Sequence, residues 1–428
     1  MDQDSLLPNE LICAILKWLD EASLLPVRLL SIQWRALADH RLVSMHRLRN
    51  VNLCDVVIAM GRLDILQSLC YRGFPPGLGA CSTAARGGHL HVLEWLCANG
   101  LLWDEETCAS AARGGHIETL QWARKGGCPW NQSVCDGAAQ SGHLDVLQWA
   151  IANGCPYDQT TCSRYAAQGG HLDVLKWLMR DGDYKDEGIC AWAADGGQLD
   201  ALMWLRSQNC HWDRDTSATA ARGGHLTLLK WARANGCPLD AWTCAWAANG
   251  GHLDVLQWAR ASGCPWNKHV CASAALKAHL DVLVWARANG CPWDATTCVY
   301  AAYGGHLGVL KWARTNGCPW DKDVCSAAAR GGYLGVLVWA RTNGCPWDAS
   351  TCAKAAERGH LEVLEWARTN GCPWNEKTCI KAAKEGHLHV LQWAHTNGCP
   401  WGERTRFKAA RAGHVHILGW LHTVGSTA

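Results

Sequence analysis

Apolar positions fall into one recurring cadence from about residue 62 to the C-terminus. In the stretch that begins at His279, Leu280, Val282, Leu283, Trp285 and Ala286 mark a single face, the spacing of an amphipathic helix. Asn289-Gly290 predicts where that helix ends, because both residues accept the left-handed backbone that closes a helix. Cys291-Pro292-Trp293 follows, and proline blocks continuation. Asp294 then opens a second apolar stretch, its carboxylate suited to accept hydrogen bonds from the unpaired amides of a helix start. Cys298, Ala301 and Ala302 form a narrow face of small side chains, and Gly304-Gly305 ends it. Each such segment predicts an antiparallel helix pair without a strand.

With the His position set to zero, heads fall at Arg62, His89, His116, His143, His171, Gln198, His225, His252, His279, His306, Tyr333, His360, His387 and His414, fourteen units in all. Every step is 27 residues except the 28 from His143 to His171, whose extra residue lies within Thr161–Ala167. Position +4 is Leu in all fourteen units and +6 is Trp in thirteen, Ser68 being the exception. A strict period of this kind predicts a stack in which each unit touches its neighbours. Trp at +6 beside Ala at +7 conserves core volume and is expected to form a core ladder. A second Trp at +14, as in Trp130 and Trp266, is expected to cover the shortened turn.

The run Ala-Ala-x-Gly-Gly-His-Leu-x-Val-Leu resembles the core of ankyrin repeats, and Asn-Gly-Cys-Pro-Trp-Asp resembles their x-Gly-Ala-Asp-Val-Asn. Their Thr-Pro-Leu-His segment maps onto Thr296-Thr297-Cys298-Val299, with Cys in the buried Leu place. The usual period is about 33 residues. The shortening falls between Asp/Asn and Thr, where ankyrin repeats carry a projecting β-hairpin. The resemblance implies an all-α fold, an α-solenoid of ankyrin-like helix pairs with trimmed fingers.

Net charge is +2, which gives no general drive toward nucleic acid or anionic membrane. The N-terminus is not a signal peptide by composition, and no apolar run is long enough to span a bilayer, so a soluble, cytoplasmic protein is expected. Of 25 cysteines, ten stand at +12 and eleven at +19; Cys13, Cys54, Cys70 and Cys97 lie elsewhere. Cys-x6-Cys followed by His raises the possibility of a ladder of zinc sites. Substitutions inside the chain speak for packing instead. Where +12 is not Cys it is Phe74, Leu101 or Asp183, and where +19 is not Cys it is Ser217 or Arg406. Paired within a unit, Cys81, Cys108, Cys190, Cys210 and Cys399 then stand alone, while Gln198 and Tyr333 replace His. A zinc site does not survive piecemeal loss of ligands, so no cofactor and no metal is expected.

Helical geometry puts +17, +21 and +24 opposite the buried face of the second helix, on what is the concave side of ankyrin-like stacks. The occupants vary: Tyr165, Trp192, Trp242, Trp246, Tyr300 and Tyr303 toward the middle, then Arg330, Lys354, Lys381, Lys384, Lys408 and Arg411. Aromatic residues and Arg dominate interface hot spots, so this row is the expected binding face for a target protein, with nucleic acid the weaker alternative.

Residues 1–50 do not follow the repeat. They contain Leu6-Leu7-Pro8-Asn9-Glu10-Leu11-Ile12, then Ile15-Leu16, and later Ser31-x-x-Trp34-Arg35-x-Leu37-Ala38. This resembles an F-box, a three-helix segment that binds the Skp-type adaptor of Skp–cullin–F-box ubiquitin ligases. The resemblance implies adaptor contacts at Leu7, Pro8, Leu11, Ile15 and Leu16, with Trp34 tying the helices together; Pro26 departs from the pattern. An F-box joined to 27-residue Cys-Pro-Trp repeats resembles proteins abundant in giant DNA viruses of amoebae, which implies a host cytoplasm. The expected domains are 1–50, F-box-like, and 51–428, an ankyrin-like solenoid of about 14 repeats. No catalytic constellation stands outside the repeat. The expected function is a monomeric, non-enzymatic substrate receptor of such a ligase. The alternatives are a stand-alone ankyrin-repeat scaffold or decoy and, behind it, a cysteine-rich metal-binding protein.

Overall fold

The computed structural model describes residues 53–180, 186 and 188–425. Among them the chain forms 28 helices and no strand, an all-α solenoid of helix pairs. It forms two compact units. One holds the described residues up to Ile189 together with Gln198–Cys210, and the other Cys190–Gly197 and His211 onward.

The pair Ala295–Tyr303 and Leu307–Thr315 shows how one repeat of the second unit is made. Asp294, extended at φ −147, accepts from the Thr296 amide at 3.0 Å and caps the first helix. At Asp240 the cap closes into a reciprocal box with Thr243, the third helical residue. Cys298, Ala301 and Ala302 are fully buried. The helix closes with the His306 amide on the Ala301 carbonyl at 2.9 Å and the Gly305 amide on the Ala302 carbonyl at 3.2 Å. This double bond pattern needs a left-handed residue between, and Gly305 has φ +78. The second helix buries Val309, Leu310 and Ala313. It ends at Asn316-Gly317 as the pattern predicts, and the Asn316 side chain donates back to the Trp312 carbonyl at 2.8 Å.

Three contacts recur between neighbouring pairs within a unit. The head imidazole reaches across: His306 Nε2 lies 3.0 Å from the Leu276 carbonyl, so the ring carries its proton there, since a carbonyl only accepts. In most repeats the head ring also lies against the glycine that closes the first helix of the previous pair. A Cβ on Gly251 would stand 2.5 Å from His279. The head residues are thus staples on helix ends, and Tyr333 fills the same space against Gly305.

The tryptophans depart from the core ladder expected of them. Those at +6 are half-buried and meet the +14 indole of the preceding repeat edge to face, Trp293 with Trp312 at 6.0 Å and Trp320 with Trp339 at 5.9 Å. Arg at +8 covers the outer indole, Arg287 lying 4.2 Å from the Trp293 ring centre, and its Nη1 donates to the carbonyl of the +12 cysteine. Val, Leu and Ala of the second helix already fill the interior, so the larger indoles are left at its edge. Each edge-to-face pair is worth about 0.5–1.5 kcal/mol beyond area burial.

The third contact is made by sulfur. The thiol at +12 donates to the carbonyl of the helix cap one repeat back, Cys264 to Asp240 at 2.9 Å and Cys318 to Asp294 at 3.4 Å. It also interacts with the +19 thiol 20 residues earlier, as Cys318 does with Cys298. Cysteines therefore pair across repeats and not within Cys-x6-Cys. Cys108 pairs with Cys128, Cys379 with Cys399, and Cys81 with Cys97, so three of the cysteines that stand alone under a within-unit pairing have partners.

The inserted residue lengthens one helix of the first unit, Gln159–Gly169, to 11 residues. An insertion turns what precedes it by about 100°. Ser163 occupies the buried place, its Oγ without a hydrogen-bond partner, and Cys162 donates to Asp136 at 3.5 Å instead of to a thiol.

Candidate target-binding surface

The small residues of the first helix leave the positions between them turned to solvent. Of the row read from the sequence, Trp242, Trp246, Tyr300, Tyr303, Lys384 and Arg411 are exposed, and Tyr165, Trp192, Arg330, Lys354, Lys381 and Lys408 half-buried. None is buried. Tyr165 belongs to the first unit and the others to the second. Leu7, Pro8, Leu11, Ile15, Leu16 and Trp34, the adaptor contacts implied by the F-box resemblance, lie outside the described residues.

Aromatic residues on the row are held by neighbours on the same three positions. Trp242 stacks on His269, ring centres 5.3 Å apart and planes 15° apart. Arg222 lies 5.3 Å from the Trp246 ring centre and is itself fixed by Asp195 at 2.5 Å. Sequence reasoning missed His269 and Arg222, although both stand on the row, because only the aromatic run and the C-terminal basic run were singled out.

The basic stretch is more mixed than its composition indicates. Lys354 and Lys381 both clamp Glu357 at 2.7 Å. Burial pushes the Glu357 carboxyl up, but the two ammonium groups outweigh it and hold it down at about 2. Lys384 pairs with Glu385 at 2.6 Å. Glu357 too stands at +24 and was legible there.

Arg330 differs. Its guanidinium lies 5.8 Å from the Tyr303 ring centre, and its Nε is buried without a hydrogen-bond partner. It borders a cavity of about 480 Å³ lined also by Leu276, Tyr300, Tyr303, Asp323 and Lys354. A second hollow of about 340 Å³ is lined by Lys384, Lys408 and Arg411. The first offers two phenol rings and an apolar floor beside an unsatisfied cationic donor, which suits a side chain with an apolar body and an anionic end. Among the described residues no group of three or more His, Cys, Asp or Glu could hold a metal ion, and no helix is long and apolar enough to cross a membrane.

A family model for ankyrin repeats (many copies) matches residues 135–179, and one for the F-box domain matches residues 5–43. Two interaction modules therefore occur in one chain. Among curated proteins no relative matches. Among solved structures, the human ASB11 ankyrin repeat domain is 18% identical over 36% of this chain and 82% of its own, with a TM-score of 0.29. The pentatricopeptide repeat protein PPR10 in complex with an 18-nt psaJ RNA element is 13% identical over 94% of this chain and 70% of its own, TM-score 0.30. PPR10 from maize is 14% identical over 99% and 80%, TM-score 0.27. At these scores none bears on function.

Proposed function

We propose that the protein is a non-catalytic substrate receptor of a Skp–cullin–F-box ubiquitin ligase. The F-box docks the Skp-type adaptor through Leu7, Pro8, Leu11, Ile15 and Leu16, with Trp34 as its internal tie, and the exposed first-helix row holds a target protein. The observation that carries the second half is the solvent exposure of Trp242, Trp246, Tyr300 and Tyr303 in one row of variable residues. Exposed indoles and phenols beside an unsatisfied guanidinium are the composition of an interface hot spot. The F-box match supports the first half. In this reading, supported by the Cys-Pro-Trp form of the repeat and its union with an F-box, the chain acts as a monomer in the cytoplasm of an amoebal host of giant DNA viruses.

Affinity purification from host cells separates the two halves. Leu7→Ala/Pro8→Ala should lose the adaptor and keep the target. Tyr300→Ala/Tyr303→Ala should lose the target and keep the adaptor, with helical circular dichroism unchanged. An adaptor missing from the wild-type sample sinks the ligase reading and leaves the stand-alone scaffold. A target retained by the double tyrosine variant removes the row from the interface.

A further inference from the structure

Arg113, Arg222 and Arg330 all stand at +24 of their repeats. The first two are held by carboxylates, Arg113 by Glu106 at 2.8 Å and Arg222 by Asp195 at 2.5 Å. Arg330 is not. Asp323 occupies the +17 place that Glu106 has beside Arg113, but its side chain is one methylene shorter, and among the described residues Arg330 joins no ion pair. Its Nε is buried without a hydrogen-bond partner. A buried charged donor left unmade is costly, so an acceptor brought by a ligand has something to gain there.

Arg330 and Asp323 both line the cavity of about 480 Å³. Its wall is drawn from the first helices of four consecutive repeats: Leu276, then Tyr300 with Tyr303, then Asp323 with Arg330, then Lys354. Packed helices lie about 8–10 Å apart, so this is an elongated trough, longer than one small molecule would fill. Lys354 is already engaged by Glu357 at 2.7 Å. Arg330 is fixed where it stands. Its backbone carbonyl meets the His360 ring at 3.2 Å, and its guanidinium lies 5.8 Å from the Tyr303 ring centre.

One unmatched cation asks for one negative charge, and the Asp323 carboxylate opposes a second, which disfavours a phosphorylated side chain. An internal Asp or Glu supplies the charge, but its stem is too short and too polar to cover two phenol rings. On the reading of this row as the target-binding face, we propose that the trough takes the C-terminal end of the target's chain. The terminal carboxylate accepts from Arg330, a charge-assisted pair. The last backbone amide donates to Asp323, and an apolar last side chain lies against Leu276, Tyr300 and Tyr303. A chain terminus carries a carboxylate, an N–H donor and a side chain on one residue, and the residues before it run on along the trough.

The probes are fluorescein-labelled peptides with a fixed Ser-Gly stem and a varied last residue, each made as free acid and as carboxamide. They are titrated against the full chain by fluorescence polarisation. Free acids ending in Leu or Phe should bind, and their carboxamides should bind at least about tenfold more weakly. Arg330→Gln should abolish that preference with helical circular dichroism unchanged. Arg330→Lys, which keeps the charge and loses the planar fork, should retain it only in part. No binding by any free acid, equal binding of acid and carboxamide, or a preference that survives Arg330→Gln overturns the proposal. So does tighter binding of a carboxamide peptide with an internal phosphotyrosine, or displacement of the peptide by an equal concentration of free phenylalanine. Target capture that is lost in Tyr300→Ala/Tyr303→Ala, yet untouched by Arg330→Gln and by excess free-acid peptide, overturns C-terminal recognition and keeps the row. Capture untouched by all three overturns the row itself.

Discussion

Ala278 stands where nearly every other repeat has glycine, and it is held at φ +63. The closing turn demands that conformation: the His279 amide bonds the Ala274 carbonyl at 3.0 Å and the Ala278 amide bonds the Ala275 carbonyl at 3.5 Å. For an L-residue the left-handed region costs about 1–2 kcal/mol. Glycine removes that cost and adds unfolded-state freedom worth about 0.4–1 kcal/mol against it. Ala278→Gly should therefore stabilise the protein by about 0.5–1 kcal/mol. In a linear array the gain is local, so it should appear as slower amide exchange in Lys268–Leu276 and Leu280–Ala288, and as a small rise in urea midpoint. The reverse change gives the control. Gly251→Ala puts a Cβ 2.5 Å from His279, at φ +79, and so strains the contact of that ring with the Asn249 carbonyl, 3.1 Å away. It combines backbone strain with a clash and should cost about 2–3 kcal/mol. An Ala278→Gly variant no more stable than wild type, with exchange in both helices unchanged, refutes the reasoning that the turn geometry is imposed by the neighbouring pair.

Ser163→Ala removes a buried hydroxyl that has no partner and should be neutral to stabilising by about 1 kcal/mol in urea unfolding; a loss of that size would show that the hydroxyl is satisfied. Glu357 has its carboxyl held at about 2, below the ordinary 4.5, so its contribution is full above 4.5 and is lost as the pH falls toward 2. With Lys354 and Lys381 a third exposed, screening limits it to about 1 kcal/mol. Glu357→Gln should lower stability at pH 7 by that amount and match wild type near pH 2; a deficit that persists in acid would assign it to packing. Arg330→Ala should weaken capture of the target at least tenfold by immunoprecipitation titration without moving the urea midpoint by more than about 0.5 kcal/mol. An altered midpoint with capture intact would make Arg330 a structural residue.

What could be read from the chain, and what could not, follows from the range of each interaction. The helix pair is local: Asp294 as cap, Asn316-Gly317 as terminator and the apolar faces all act within a few residues, and the structure places them where periodicity does. The exposure of Trp242, Trp246, Tyr300 and Tyr303 is also local, since a helix with Cys298, Ala301 and Ala302 inward has only one way to turn Tyr300. Contacts between repeats carry no such signal. Cys-x6-Cys is the shorter spacing, yet the second helix and both turns must be traversed before a +19 sulfur meets one, and that meeting falls 20 residues on. A period of 27 makes spacings of 7 and 20 equally regular, so repetition cannot choose between them. The deciding clue was an irregularity. Cys70 and Cys97 leave the usual positions only where Phe74 and Leu101 displace sulfur from +12, which has meaning once +19 is matched to the following repeat. Cys54 then takes its place as the +19 thiol of a preceding unit, in the helix Leu53–Ala59. The tryptophans show the same limit. Their volume argued for the interior, but the +6 and +14 indoles belong to different repeats, and only their meeting across the boundary leaves them half-buried beneath a row of arginines.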